Sequence, residues 1–157
     1  MQLRDRMSLP RTQVAAVCYR CVGPSARFLL VKTSSGKWTF PKGHREPGRS
    51  AAEIAALEAE EEAGVVGHIE TRPFGSYLHR KRSHWDGDEV RVLAFLLEVR
   101  RLSRPEERYR SPRWFTADDA KERLARHRSR RYHRHLERVI DRALHLIERR
   151  LVDRHSR

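Results

Sequence analysis

Two cysteines, no long apolar run and a shortage of acids mark this 157-residue sequence by what it lacks. Cys18 and Cys21 form a lone C-x-x-C inside an apolar, strand-like run, and with no second pair they complete no zinc site. Both read as small buried hydrophobes. The histidines show no ligand grammar: His79 and His84 fall in a basic stretch, and His133, His135 and His145 punctuate a helical pattern without i,i+4 pairing. No apolar stretch approaches the ~20 residues that span a bilayer, and Met1 to Arg11 lacks the apolar core of a signal peptide. The expectation is a cytoplasmic protein with no membrane partner. Acids are outnumbered, 21 Asp and Glu against 34 Lys and Arg, for a formal net charge of +13. Residues 100–157 alone hold 19 bases against 9 acids. Such an excess suits polyanionic partners, and it serves solubility equally well.

The chain shows no internal repeat and no low-complexity linker, so a tail over residues 1–10 and one domain over residues 11–157 are expected. A hydrophobic content of 38% with three tryptophans is enough for a core at this length. Thr12 to Val22 and Arg27 to Lys32 read as a hairpin-like pair of strands around a turn at Gly23 to Ala26, and Lys37 to Phe40 as a short strand. Val65 to Ile69 and Phe74 to Leu78 are extended, His79 to Asp88 is a charged loop, and Glu89 to Arg100 is the longest strand, with Val90, Val92, Ala94 and Leu96 on alternate positions. Pro105 to Ser111 is loop-like, Arg113 to Phe115 returns to the core, and Thr116 caps a helix over Ala117 to Arg126. From Tyr132 to Val152, Leu136, Val139, Ile140, Ala143, Leu144, Ile147 and Leu151 recur at helical spacing. That amphipathic helix packs on the core or forms a dimer seam, leaving monomer and homodimer both open.

The organising stretch is Gly43 to Val65, GHREPGRSAAEIAALEAEEEAGV. Ser50 and Glu53 have capping-box spacing, which starts a helix near Ala51, and Gly64 supplies the left-handed residue that ends it near Ala63. Within it Glu58, Glu61 and Glu62 stand at i, i+3 and i+4 and share one sector with Ile54 and Leu57. An acid run of this kind is usually a solvated face. Beside a buried seam, however, like charges repel and lose hydration unless a cation joins them. Oxygen-only ligands favour Mg²⁺, with Mn²⁺ as the alternative.

The segment resembles the Nudix box, the loop–helix signature GX5EX7REUXEEXGU of the Nudix hydrolases. Gly43, Glu58, Glu61, Glu62, Gly64 and Val65 fall on its glycine, its metal-associated glutamates and its closing pair. Arg49 replaces the first box glutamate and Leu57 the arginine, a double departure that leaves no orphaned buried charge if those sites support each other. Trp38 to His44, WTFPKGH, is similar to the entry of the box in diadenosine and diphosphoinositol polyphosphate hydrolases. PEERYRSPRWFTADDAKERL looks like the segment after the last strands in that subgroup.

The resemblance implies an α/β Nudix fold, an α/β/α sandwich with a mixed sheet and a catalytic loop–helix, and a metal-dependent phosphoanhydride hydrolase. Glu58, Glu61 and Glu62 are then assigned to the metal with the Gly43 carbonyl, and Glu61 or Glu62 also orients or deprotonates the water. Lys42 is placed to hold a substrate phosphate, and Arg80, Lys81 and Arg82 to recognise further phosphates. The substrate class is a dinucleoside or diphosphoinositol polyphosphate. An RNA 5′ pyrophosphohydrolase and a non-catalytic nucleotide- or RNA-binding Nudix fold stand as alternatives.

Overall fold

The structure, a computed structural model, describes residues 12–80 and 89–157. Along the chain come β1 (Gln13–Val22), β2 (Ser25–Lys32), β3 (Trp38–Thr39), β4 (Lys42–His44), α1 (Ala51–Ala63), β5 (Val65–Ile69), β6 (Gly75–Arg80) and β7 (Glu89–Leu102). A 3-10 turn over Arg108–Arg110, β8 (Arg113–Thr116), α2 (Ala117–Ala125) and α3 (Arg130–His155) complete it. The expected short strand over Lys37 to Phe40 is split. Pro41 has no N–H for a ladder, so Trp38 and Thr39 pair with β2 while Lys42 to His44 pair with β1. His79 and Arg80, expected to open a loop, instead finish β6 against Val90 and Glu89 of β7. The rest of that loop lies outside the described residues.

The sheet is mixed and built on β1 and β7, which run parallel with Gln13 opposite Val92 and Tyr19 opposite Glu98. Each shares its outer edge between two antiparallel partners. β1 takes β4 at its start and β2 at its end, and β7 takes β6 at its start and β5 at its end. Successive side chains of a strand face opposite ways, and here both faces are buried. Val14, Ala16 and Cys18 of β1, with Phe95 and Leu97 of β7, meet Ala52, Ile54, Ala55 and Ala59 of α1. Ala15, Val17 and Tyr19, with Val92, Ala94 and Leu96, meet Leu124 of α2 and Leu136, Val139, Ile140, Ala143 and Ile147 of α3. The result is the α/β/α sandwich expected. Small alanines on the buried side of α1 let its axis come close to the sheet, which fixes the height of the glutamates on its flank.

Two cysteines expected to be buried part ways: Cys18 lies inside, and Cys21 is exposed near the end of β1. The strand runs past the helices that cover its centre, so alternation no longer buries anything there. Among the described residues no helix is long and apolar enough to cross a membrane.

Candidate active site

Both ends of α1 are fixed. Ser50 Oγ accepts the Glu53 N–H at 3.1 Å, and Gly64 closes the helix at φ 68° while donating to Glu60 O at 2.9 Å. A side chain at Gly64 would run into the Ser103 carbonyl just beyond β7, whose N–H in turn reaches Gly64 O at 2.7 Å. These contacts hold the helix in rotation as well as position, which decides where Glu58, Glu61 and Glu62 point.

Glu62 is 4% exposed. Its Oε2 accepts the Lys42 backbone N–H at 3.0 Å, and its Oε1 lies 3.3 Å from Arg110 Nη2. Glu58 lies across Gly43, where even a methyl group would overlap its carboxylate. Gly43 thus leaves room for the Glu58 side chain to lie against β4. Burial first, then repulsion from Glu61, Glu107 and Glu46, pushes the Glu58 carboxyl up to about 7. Burial pushes Glu62 up to about 7 too, against the pull of Arg110. Glu61 is raised by burial and by Glu106, Glu107 and Glu46, and Arg49 opposes this.

The shared sector read from spacing is present, but Glu62 is drawn inward. Among the described residues, no three His, Cys, Asp or Glu side chains converge closely enough to hold an ion. The donor set is nevertheless all oxygen, crowded with like charge and partly dehydrated, which suits a hard divalent cation.

Two residues at this site were missed in the sequence. Arg110, in the 3-10 turn, faces Glu62, and its Nε donates to Glu107 Oε2 at 3.0 Å. The Glu107 N–H donates to the Glu61 carbonyl at 3.1 Å, tying the turn to the last turn of α1. Arg110 and Glu107 both lie in PEERYRSPRWFTADDAKERL, a passage matched to the subgroup by resemblance alone, and nothing in its spacing links it to the helix.

A cavity of about 530 Å³ is walled by Thr33, Lys37, Tyr77, Arg80, Arg128 and Tyr132 among others. Tyr77 is 2% exposed, and its hydroxyl has no hydrogen-bond partner among the described residues. Burial raises its phenol far above the usual range, with Arg128 lowering it and Glu62 raising it further. Arg128 donates to Leu124 O at 2.7 Å. Arg80 reaches this cavity as a wall residue, whereas Lys81 and Arg82 lie outside the described residues. Lys42 meets the acids through its backbone. Arg49 and Leu57, the two departures from the box, line a shallow groove of about 370 Å³ between α1 and β5.

A NUDIX domain model matches residues 11–136. The asymmetrical bis(5′-nucleosyl)-tetraphosphatase of Sus scrofa is 37% identical over 101 residues, 59% of this chain and 66% of that protein. Nudix hydrolase 4 of Arabidopsis thaliana is 35% identical over 95 residues, 60% of this chain and 45% of that protein. The matched stretch thus spans about half to two thirds of these curated relatives. Among solved structures, a NUDIX hydrolase from Nitrosomonas europaea superposes with a TM-score of 0.61 at 26% identity, covering 82% of this chain and 87% of that one. A C. elegans Ap4A hydrolase binary complex has the same fold, with a TM-score of 0.62 at 19% identity, covering 84% and 93%.

Proposed function

We propose, since the chain belongs to the NUDIX family, that it hydrolyses a phosphoanhydride bond of a polyphosphorylated substrate, a dinucleoside polyphosphate or a diphosphoinositol polyphosphate. The observation that carries this reading is the acidic cluster on α1, where Glu62 is buried between the Lys42 N–H and Arg110 while Glu58 lies across Gly43. The acidic cluster would serve to activate water, and the cavity walled by Arg80 and Arg128 to hold phosphates. A divalent cation, Mg²⁺ or Mn²⁺, would be held by Glu58, Glu61 and Glu62 with the Gly43 carbonyl and would neutralise charge on the non-bridging oxygens. Glu61 or Glu62 orients the attacking water and takes its proton, and a carboxyl held near 7 is well matched to that task. Lys42 and Arg80, with Lys81 and Arg82, hold the remaining phosphates as cations.

The test is product release with Mg²⁺ from a dinucleoside tetraphosphate, a diphosphoinositol polyphosphate and ADP-ribose. The first two are expected to be preferred, with a KM that rises steeply with salt, because exposed contacts are screened over about 10 Å at 0.1 M. Glu61→Gln or Glu62→Gln is expected to lower kcat at least ~100-fold while the melting temperature holds, since each removes a charge and keeps shape. Near wild-type turnover in either variant would remove that residue from the mechanism. ADP-ribose as the best substrate, with a salt-insensitive KM, would overturn the substrate class.

A further inference from the structure

We propose that the outer face of α3 is a docking surface for RNA, gripped through its phosphate backbone. Arg131, Arg134, Arg138, Arg142 and Arg149 are all exposed and follow at helical steps, with exposed His145 filling the longest gap. At about 100° per residue they fall in one sector, opposite the buried Leu136, Val139, Ile140, Ala143 and Ile147. With a rise of 1.5 Å per residue the row is about 27 Å long.

A solvated helix face usually mixes signs at i,i+4, because like charges at that spacing repel. Here three of the nearby acids are paired, while Glu148 and Asp153 stand exposed toward the far end of the row. Asp141 takes Lys121 of α2 at 2.8 Å, Glu137 faces His133 at 3.2 Å, and Glu89 holds Arg131 at 2.7 Å. Arg134, Arg138, Arg142 and Arg149 meet no carboxylate among the described residues. The potential is felt locally: burial first, then Arg138, Arg131 and Arg91, holds the His135 ring below the usual histidine range.

The chemistry selects the partner. Every strong base in the row is arginine, whose planar fork matches phosphate oxygens in pairs. Among the described residues no Trp, Phe or Tyr falls within the row, Tyr132 turning its hydroxyl to Glu89, so contact is chiefly with the backbone and indifferent to sequence. The apolar face of α3 is spent on the core, and Val152, its one large exposed hydrophobe, is too little to wedge into a lipid surface. Ser129, Tyr132 and Leu136, in the first turns of α3 and the residue before it, wall the cavity that Arg80 and Arg128 also line, so the N-terminal end of the row lies near it. RNA is chosen over DNA because its 5′ end can carry a phosphoanhydride, a choice that rests on the hydrolytic reading above.

Binding is measured by fluorescence anisotropy on the full chain, with a labelled single-stranded RNA carrying a 5′ hydroxyl, so the readout is independent of hydrolysis. Replacing Arg134, Arg138, Arg142 and Arg149 together by Gln is expected to weaken binding at least ~tenfold at low salt. The slope of log K against log salt should fall by about three, at roughly 0.7 per phosphate contact. The matching fourfold Lys variant should recover most of the affinity, and hydrolysis of a dinucleoside tetraphosphate should be unchanged in both. Equal RNA affinity of wild type and the Gln variant would overturn the proposal. So would tighter binding of DNA of the same sequence, or binding to phosphatidylserine vesicles without binding to RNA. RNA binding lost in the Gln variant, with no phosphate released from any substrate, would uphold the docking surface and remove the hydrolytic reading.

Discussion

Arg110 lies 3.3 Å from the Glu62 carboxylate, and both side chains are largely buried, 18% and 6% exposed. The same guanidinium is braced by Glu107, so a cation from the chain itself balances part of the acidic cluster. Arg110→Gln is expected to destabilise the metal-free protein by about 1–3 kcal/mol at pH 8, the cost of leaving a buried carboxylate without its partner. At pH 5.5 Glu62 is protonated and needs no cation, so the penalty should largely vanish. Thermal melts in chelator at both pH values check this. An equal loss at the two pH values would mean that Arg110 acts on the fold without Glu62.

Glu58 and Glu62 both have carboxyls pushed up to about 7 from the usual 4.5. A folded value above the unfolded one means that the fold holds protons which the unfolded chain has released. The contribution to stability is therefore greatest below about 4.5 and falls as pH rises toward 7. A divalent cation needs the ionised carboxylates, so its binding should tighten between pH 6 and 8 and release protons. Calorimetry at pH 6.5 in two buffers of different ionisation enthalpy measures that release. Identical heats in both would place the ion elsewhere.

Tyr77→Phe removes a buried hydroxyl that has no partner among the described residues. The melting temperature is expected to hold or rise slightly, because an unsatisfied hydroxyl costs about 1–3 kcal/mol to bury. If that hydroxyl serves the substrate, KM should rise about threefold to tenfold with kcat little changed. A lower melting temperature with unchanged KM would assign Tyr77 to packing alone.

Arg49 and Leu57 share the groove between α1 and β5, and Arg49 also eases the charge on Glu61. Arg49→Glu with Leu57→Arg, which restores the box pair, should therefore differ from the sum of the single changes by at least about 0.5 kcal/mol in stability. Additive effects on both rate and stability would show that the two positions act separately.

What the sequence determined by itself was local. The start and stop of α1 were legible because Ser50 and Gly64 satisfy or terminate backbone groups within a few residues of themselves. The core faces of β7 and α3 were legible because alternation and helical spacing repeat along the chain. The shared flank of Glu58, Glu61 and Glu62 followed from the same rule. Tertiary structure decided everything that needed two distant segments to meet. Pairing of β1 with β4 laid Gly43 beneath Glu58, and the return of the chain after β7 brought Arg110 and Glu107 to the end of α1. The loop between α2 and α3 set Arg128 near Tyr77. No spacing rule encodes such meetings, because they are selected by how the two faces of one sheet bury their apolar side chains, and the charged residues are carried to wherever that burial leaves them.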